Sequence, residues 1–190
     1  MSKGVQIGVS ALHYAIMTSD AVDSTPVYET PVAIEGVTSV KVNPNASVET
    51  LFADDGPYES AATLGKIEVE INTADLTLDE QAALLGHTVT ADGMLKRKST
   101  DVPPNVAIGF KSLKSNGKYR YTWLAKGKFV PAEVSAETKG DTVNFQTNMI
   151  TGNFLKRASD DEWERHIDED QTEWIQTHST NWFTSPTYLA

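Results

Sequence analysis

The sequence predicts a mainly β fold, on three observations. Apolar and polar side chains alternate along several runs, an Asn-Gly pair separates two of those runs, and one short stretch alone carries helix signals. Taken in chain order, Val32 to Val42 is the first strand candidate, and Gly36 interrupts its alternation as a bulge or bend would. Ile67, Val69 and Ile71 alternate with Glu68, Glu70 and Asn72, the pattern of a strand with one buried face. Thr77 and Glu80 then form a capping-box pair, Leu78, Ala82 and Leu85 recur at helical spacing, and Gly86 can close the end, so a short α-helix is expected over about 77–86 as a lid on a sheet. Val106, Ile108 and Phe110 make another apolar face. Tyr119, Tyr121 and Trp123 make the next, and Asn116-Gly117 between them supplies the positive φ angles of a tight hairpin. Val143, Phe145, Thr147 and Met149 complete the strand set.

Two stretches read as exposed connections, Ser99 to Asn105 with Pro103-Pro104 and the long inter-strand loop Pro44 to Tyr58. The loop contains Leu51 and Phe52, which an isolated solvated loop disfavours, so they either fold back on their own core or dock on a neighbouring molecule. Near the C-terminus Trp163, Ile167, Trp174 and Ile175 are roughly helix-spaced within a stretch dense in acids. A partly helical, docked arm is expected there. The organisation is one domain over 1–155, including an N-terminal arm over 1–30, followed by an acidic, Trp-containing arm over 156–190.

The 190 residues include no cysteine, which excludes disulfides, thiolate nucleophiles and zinc-thiolate sites. No apolar run approaches the roughly 20 residues that span a bilayer, and the first residues lack a basic-then-apolar signal pattern, so no membrane association is expected. Net charge is −10, unevenly spread. Residues 1–95 carry 3 bases and 14 acids, Lys96 to Lys139 carry 10 bases and 3 acids, and Asp160 to Glu173 sets eight acids against Arg165. These blocks either neutralise one another within a folded monomer or meet between chains stacked head-to-tail. The overall acidity disfavours a phosphate-binding role for the basic block.

Catalytic patterns are weak. His13, His87, His166 and His178 are scattered without metal-binding spacing, and His166 near Asp168 and Asp170 is what chance produces in an acidic stretch. Asp54-Asp55-Gly56 lacks the alternating ligands and closing Glu of a calcium loop. No phosphate loop or nucleophile elbow is present. Glu68 and Glu70 share a strand face, as any solvated strand face allows. Tyr119, Tyr121 and Trp123 on a basic hairpin either stack bases or pack a core, and their alternation favours the core. No enzymatic activity and no cofactor are expected.

One ordered set of fragments goes further. Leu51-Phe52-Ala53-Asp54-Asp55-Gly56, Glu59-Ser60, Gly65-Lys66-Ile67 and Leu84-Leu85-Gly86-His87-Thr88-Val89 come first. Val106 to Phe110, Lys118 to Ala125, Lys128-Phe129, Thr138-Lys139-Gly140 and Val143-Asn144-Phe145 follow in order. Together they resemble the major tail protein, or tail tube protein, of long-tailed, siphovirus-type bacteriophages. The resemblance spans about Val32 to Phe154.

It implies a two-sheet β-sandwich or barrel-like subunit with one flanking helix, forming hexameric rings that stack into the hollow tube through which DNA leaves the capsid. The long loop, here Leu51, Phe52, Ala53, Asp54, Asp55, Gly56, Pro57 and Tyr58, would reach adjacent subunits or rings. The implied partners are the protein itself, a tape measure protein, and tail tip and tail terminator proteins; the implied location is the virion tail tube, after synthesis in the host cytoplasm. DNA would pass without sticking, with Glu68 and Glu70 as candidate lumen-facing acids. Trp163, Trp174, Trp182 and Phe183 are candidates for packing of the C-terminal arm between subunits. The alternatives are a tube protein of a related injection or secretion system, and a monomeric β-sandwich module that binds a ligand through the aromatic hairpin.

Overall fold

The computed structural model describes residues 4–131 and 147–188. The fold is mainly β and antiparallel. Eleven strands are present among these residues: β1 (Gln6–Ser19), β2 (Val27–Tyr28), β3 (Val32–Ile34), β4 (Val37–Ala53), β5 (Gly56–Thr73), β6 (Thr88–Val89), β7 (Leu95–Lys96), β8 (Val106–Lys114), β9 (Tyr119–Val130), β10 (Asn148–Leu155) and β11 (Glu164–Asp168). Helix α1 (Leu78–Leu85) follows β5, and α2 (Thr177–Asn181) runs into a 3-10 turn over Trp182–Thr184.

The main sheet runs β2-β1-β8-β9-β10-β5-β4, with β3 added on β1 and β11 on β9. β8 occupies one edge of β9. The other edge is shared, β11 pairing Arg120 to Leu124 and β10 pairing Lys126 to Val130. This fork lets the sheet curl into a sandwich-like arrangement in which Ile67, Val69 and Ile71 of β5 share one core with Leu12 of β1, Val106 and Ile108 of β8 and Leu84 of α1. The sheet does not close into a barrel: β1 and β4 approach each other without pairing, and a groove of about 480 Å³ opens beside them. The barrel-like alternative is therefore not what the chain adopts.

Local signals behave as their chemistry requires. Thr77 Oγ1 accepts from the Glu80 N–H while the Glu80 carboxylate accepts from the Thr77 N–H, and Gly86 ends the helix at φ 71°. Gly36, at φ 75°, separates β3 from β4, which then pair with different strands. Ile67, Val69 and Ile71 are buried, and Glu68 and Glu70 point outward. The β8–β9 hairpin forms around Asn116-Gly117, but only Gly117 takes a positive φ (77°), with its N–H donating to the Lys114 carbonyl. That is the longer hairpin loop built on one left-handed glycine, in place of the two-residue loop that Asn-Gly favours.

Three expectations change. β8 and β9 are buried on both faces along much of their length: Tyr121, Thr122, Trp123, Leu124 and Ala125 are all at most 5% exposed. Residues 164–168, within the helix-spaced stretch, form strand β11, because pairing with β9 satisfies their backbone better than a helix crowded with like charge. Pro44 to Tyr58 is no irregular loop but the outer part of a long hairpin. Of the last predicted strand, Val143 and Phe145 lie outside the described residues; β10 begins at Asn148.

Candidate assembly interface

The β4–β5 hairpin begins inside the sheet at Val37↔Thr73 and ends at Ala53↔Gly56. From Asn43 to Lys66 every residue except Gly56 is exposed. Its inward-facing backbone groups pair in its own ladder and its outward-facing ones are open to water, so it needs no cover to persist as a ribbon. Asp54 (φ 50°) and Asp55 (φ 61°) form the two-residue tip, where positive φ at both positions matches the twist of the flanking strands. Aspartate tolerates that conformation better than most side chains.

Register decides which side chains share a face. Between Pro44↔Ile67 and Ala46↔Leu64, β5 carries one residue more than β4, a bulge at Gly65-Lys66. The Asn45 side-chain amide donates to the Lys66 carbonyl at 3.1 Å, and a Cβ on Gly65 would lie 2.8 Å from the Asn45 carbonyl oxygen. The extra residue moves Leu64 and Ala62 onto the face of Ile67, the face that is buried in the body. β4 keeps its phase. Ala46, Val48, Thr50 and Phe52 therefore continue the face of Val40 and Val42, opposite Leu64, Ala62 and Ser60. This face carries no charge. The other face holds Glu49, Leu51 and Glu59, with Ser47 Oγ and Thr63 Oγ1 hydrogen-bonded at 2.9 Å. A second bulge places Tyr58 as an extra residue between Leu51↔Glu59 and Phe52↔Pro57.

Leu51, Phe52 and Tyr58 are 60%, 69% and 72% exposed, so none folds back on the chain's own core. Val48 and Leu64 share the uncharged face with Phe52 and extend its exposed apolar strip, while Leu51 lies on the opposite face. On its other edge β4 pairs with no strand among the described residues. A long unpaired edge bordering an uncharged face is a surface built for contact, or a hazard if left alone. Glu68 and Glu70 lie at the base of the hairpin on its solvent side. Glu70 binds Lys41 at 3.2 Å and Glu68 binds Lys66 at 2.6 Å, the latter contact holding the Glu68 carboxyl below its ordinary range.

The C-terminal arm is the opposite case. Trp182 is buried, and its carbonyl accepts from Trp123 Nε1 at 2.9 Å. Trp174 stacks on Tyr121 at 5.4 Å, and Phe183 stacks on His13 at 4.4 Å while meeting Trp123 edge-on. Trp163 packs on the main core. The four aromatics expected between subunits thus pack against their own chain, Trp163 on the main core and Trp174, Trp182 and Phe183 on the apolar platform that Tyr121 and Trp123 offer. Gly109 opposite Trp123 keeps that platform flat, since a Cβ at Gly109 would lie 2.7 Å from the indole. The same packing covers Tyr121 and Trp123, which removes them as a base-stacking surface.

Charge locks the arm in place. Asp168 accepts from Arg120 and from Lys114, and these contacts, against the cost of burial, bring its carboxyl down to about 2. Lys114, itself buried, also reaches Asp170, the contact that most raises its pKa. Burial pushes Asp20 up, but hydrogen bonds from the Ala158 and Ser159 N–H groups and Lys126 outweigh it and hold it at about 2. Buried Arg157 clasps Asp160 and Glu162, and Arg165 joins it on Glu162. Of the basic block, Lys114, Arg120 and Lys126 thus pair with Asp168, Asp170 and Asp20 within the chain, which neutralises part of the segregated charge. No local pattern signals β11 or the burial of Lys114 and Arg157, which depends on carboxylates elsewhere in the fold.

Among the described residues no group of three His, Asp or Glu side chains is placed to hold a metal ion. Asp168 and Asp170 face Lys114 in place of His166. No family model matches the chain, and no curated protein matches it.

Proposed function

We propose that this protein is the tube subunit of a long-tailed bacteriophage, a non-enzymatic structural protein whose rings stack into the conduit for DNA. The observation that carries the reading is the hairpin, which extends the apolar face of the sheet well beyond the body and leaves it uncovered. In a monomer such a strip is an aggregation risk; in a ring or tube a neighbouring copy covers it. The ordered resemblance from Val32 to Phe154 supports the same reading and supplies the expected partners: further copies, a tape measure protein, and tip and terminator proteins. In this reading the Glu68 and Glu70 face, paired with lysines, gives a passing phosphate backbone little to hold.

Negative-stain electron microscopy of the purified protein over a range of concentrations tests it. Rings or hollow tubes are the expected result. Monodisperse monomers at every concentration, with or without a tail-tip complex as initiator, would overturn it.

A further inference from the structure

Lys114, Arg120, Lys126, Arg157 and Arg165 each hold a carboxylate within the chain. Two sets of charges are left differently. Among the described residues Glu49, Asp54, Asp55 and Glu59 on the hairpin hold no cation, and the side chains of the consecutive bases Lys96, Arg97 and Lys98 hold no carboxylate, although the Lys98 N–H donates to Asp101. Arg97 donates instead to the Gln81 side-chain carbonyl at 3.0 Å.

The two sets lie toward opposite ends of β5. Arg97 lines a groove of about 330 Å³ between α1, the start of β10 and the residues just past the end of β5; Leu76, Leu78, Leu85, Met149 and Ile150 supply its apolar wall. Leu78 and Met149 are 46% and 48% exposed, so the groove is open to an incoming side chain. At a rise of roughly 3.3 Å per residue, β5 separates the hairpin tip at Gly56 from Thr73 beside the groove by about 55 Å. A chain cannot seat its own tip in its own groove.

We infer that the tip of one copy seats Phe52 in the α1–β10 groove of a second copy, with Asp54 and Asp55 set against Lys96, Arg97 and Lys98. The inference rests on the tube-subunit reading and names its longitudinal contact. The tip offers an exposed aromatic ring between carboxylates, and the groove offers apolar walls beside bases. Asp75, Glu80 and Asp101 near the groove and its bases are already engaged, Asp75 by the Leu76 N–H and the Asn148 amide, Glu80 by Thr77 and Asp101 by the Lys98 N–H and His87, which among the described residues leaves Asp79 against three bases. Tip and groove are different surfaces, so the contact is heterologous and propagates as a filament.

Full-length protein carrying the Phe52→p-benzoylphenylalanine substitution, mixed from light- and heavy-nitrogen cultures, is irradiated at assembling concentration and its cross-links are mapped by mass spectrometry. Mixed-isotope cross-links from position 52 to residues 76–85 or 148–150 are expected. If the wild type forms tubes but the cross-links map elsewhere or stay within one chain, the groove assignment is overturned and the tube reading stands. A wild type that stays monomeric at every concentration overturns both. Charge reversal gives a second readout: Asp54→Lys with Asp55→Lys raises the assembling concentration about tenfold, and adding Lys96→Glu and Lys98→Glu restores it to within about twofold. Absence of rescue overturns the charge pairing.

Discussion

The hairpin over residues 43–66 and the C-terminal arm from Lys156 onward share a composition, aromatic and aliphatic side chains among acids, yet one stands clear of the body and the other is folded onto it. The difference lies in where backbone and charge find partners. The hairpin pairs with itself over its whole length, so its main-chain groups impose no reason to return. The arm has only the short strand β11 and five-residue α2, and depends on β9, Lys114 and Arg120 for the rest. Apolar side chains alone do not decide which segment docks. Self-paired backbone can keep a greasy surface exposed, and a complementary platform can bury an acidic one.

That contrast can be broken most strongly at the arm. Trp182→Ala removes a fully packed indole and should destabilise the chain by about 4 kcal/mol in urea unfolding; a loss below 1 kcal/mol would mean the arm is merely draped on the body. Asp168→Asn leaves buried Lys114 with one carboxylate fewer and should cost about 3 kcal/mol. An unchanged unfolding midpoint would show that the cluster contributes no net stability.

The same ion pairs predict an acid dependence. Asp20 and Asp168 bind protons less readily when folded, at about 2, than when unfolded, near the usual carboxylate value of about 4. Their contribution is therefore complete above about pH 4 and is lost as pH falls toward 2, on the order of 2 kcal/mol for both after allowing for solvent screening. Thermal unfolding from pH 6 to pH 2 measures it, and Asp168→Asn should flatten the lower part of the curve. The smallest effect is expected at the hairpin. Phe52→Ser should change the stability of the isolated chain by less than about 0.5 kcal/mol, since the ring is exposed, while lowering assembly in sedimentation. A large stability loss from Phe52→Ser would mean that the hairpin is folded onto its own body in solution.

Nearest-neighbour chemistry is legible in the amino-acid order itself. The Thr77–Glu80 cap, the bend at Gly36, the buried face of Ile67, Val69 and Ile71 and the turn at Gly117 each depend on residues a few positions apart, and periodicity records them directly. The exposed Leu51-Phe52 pair is legible too, as apolar residues with nothing local to bury them.

Register and long-range pairing are not. The bulge at Gly65 decides that Leu64 joins the uncharged face, yet it exists only because β4 lies opposite with one residue fewer. The strand character of Glu164 to Asp168 arises from pairing with Arg120 to Leu124 of β9, and the burial of Lys114 from a contact across 54 residues with Asp168. By itself the sequence determined the β class, the helix cap and the segments rich in each charge, since these follow from side-chain type and spacing. Tertiary structure alone decided that the acidic arm would be neutralised at home while the hairpin kept its apolar face and its charges free, because only the folded sheet brings distant strands into register.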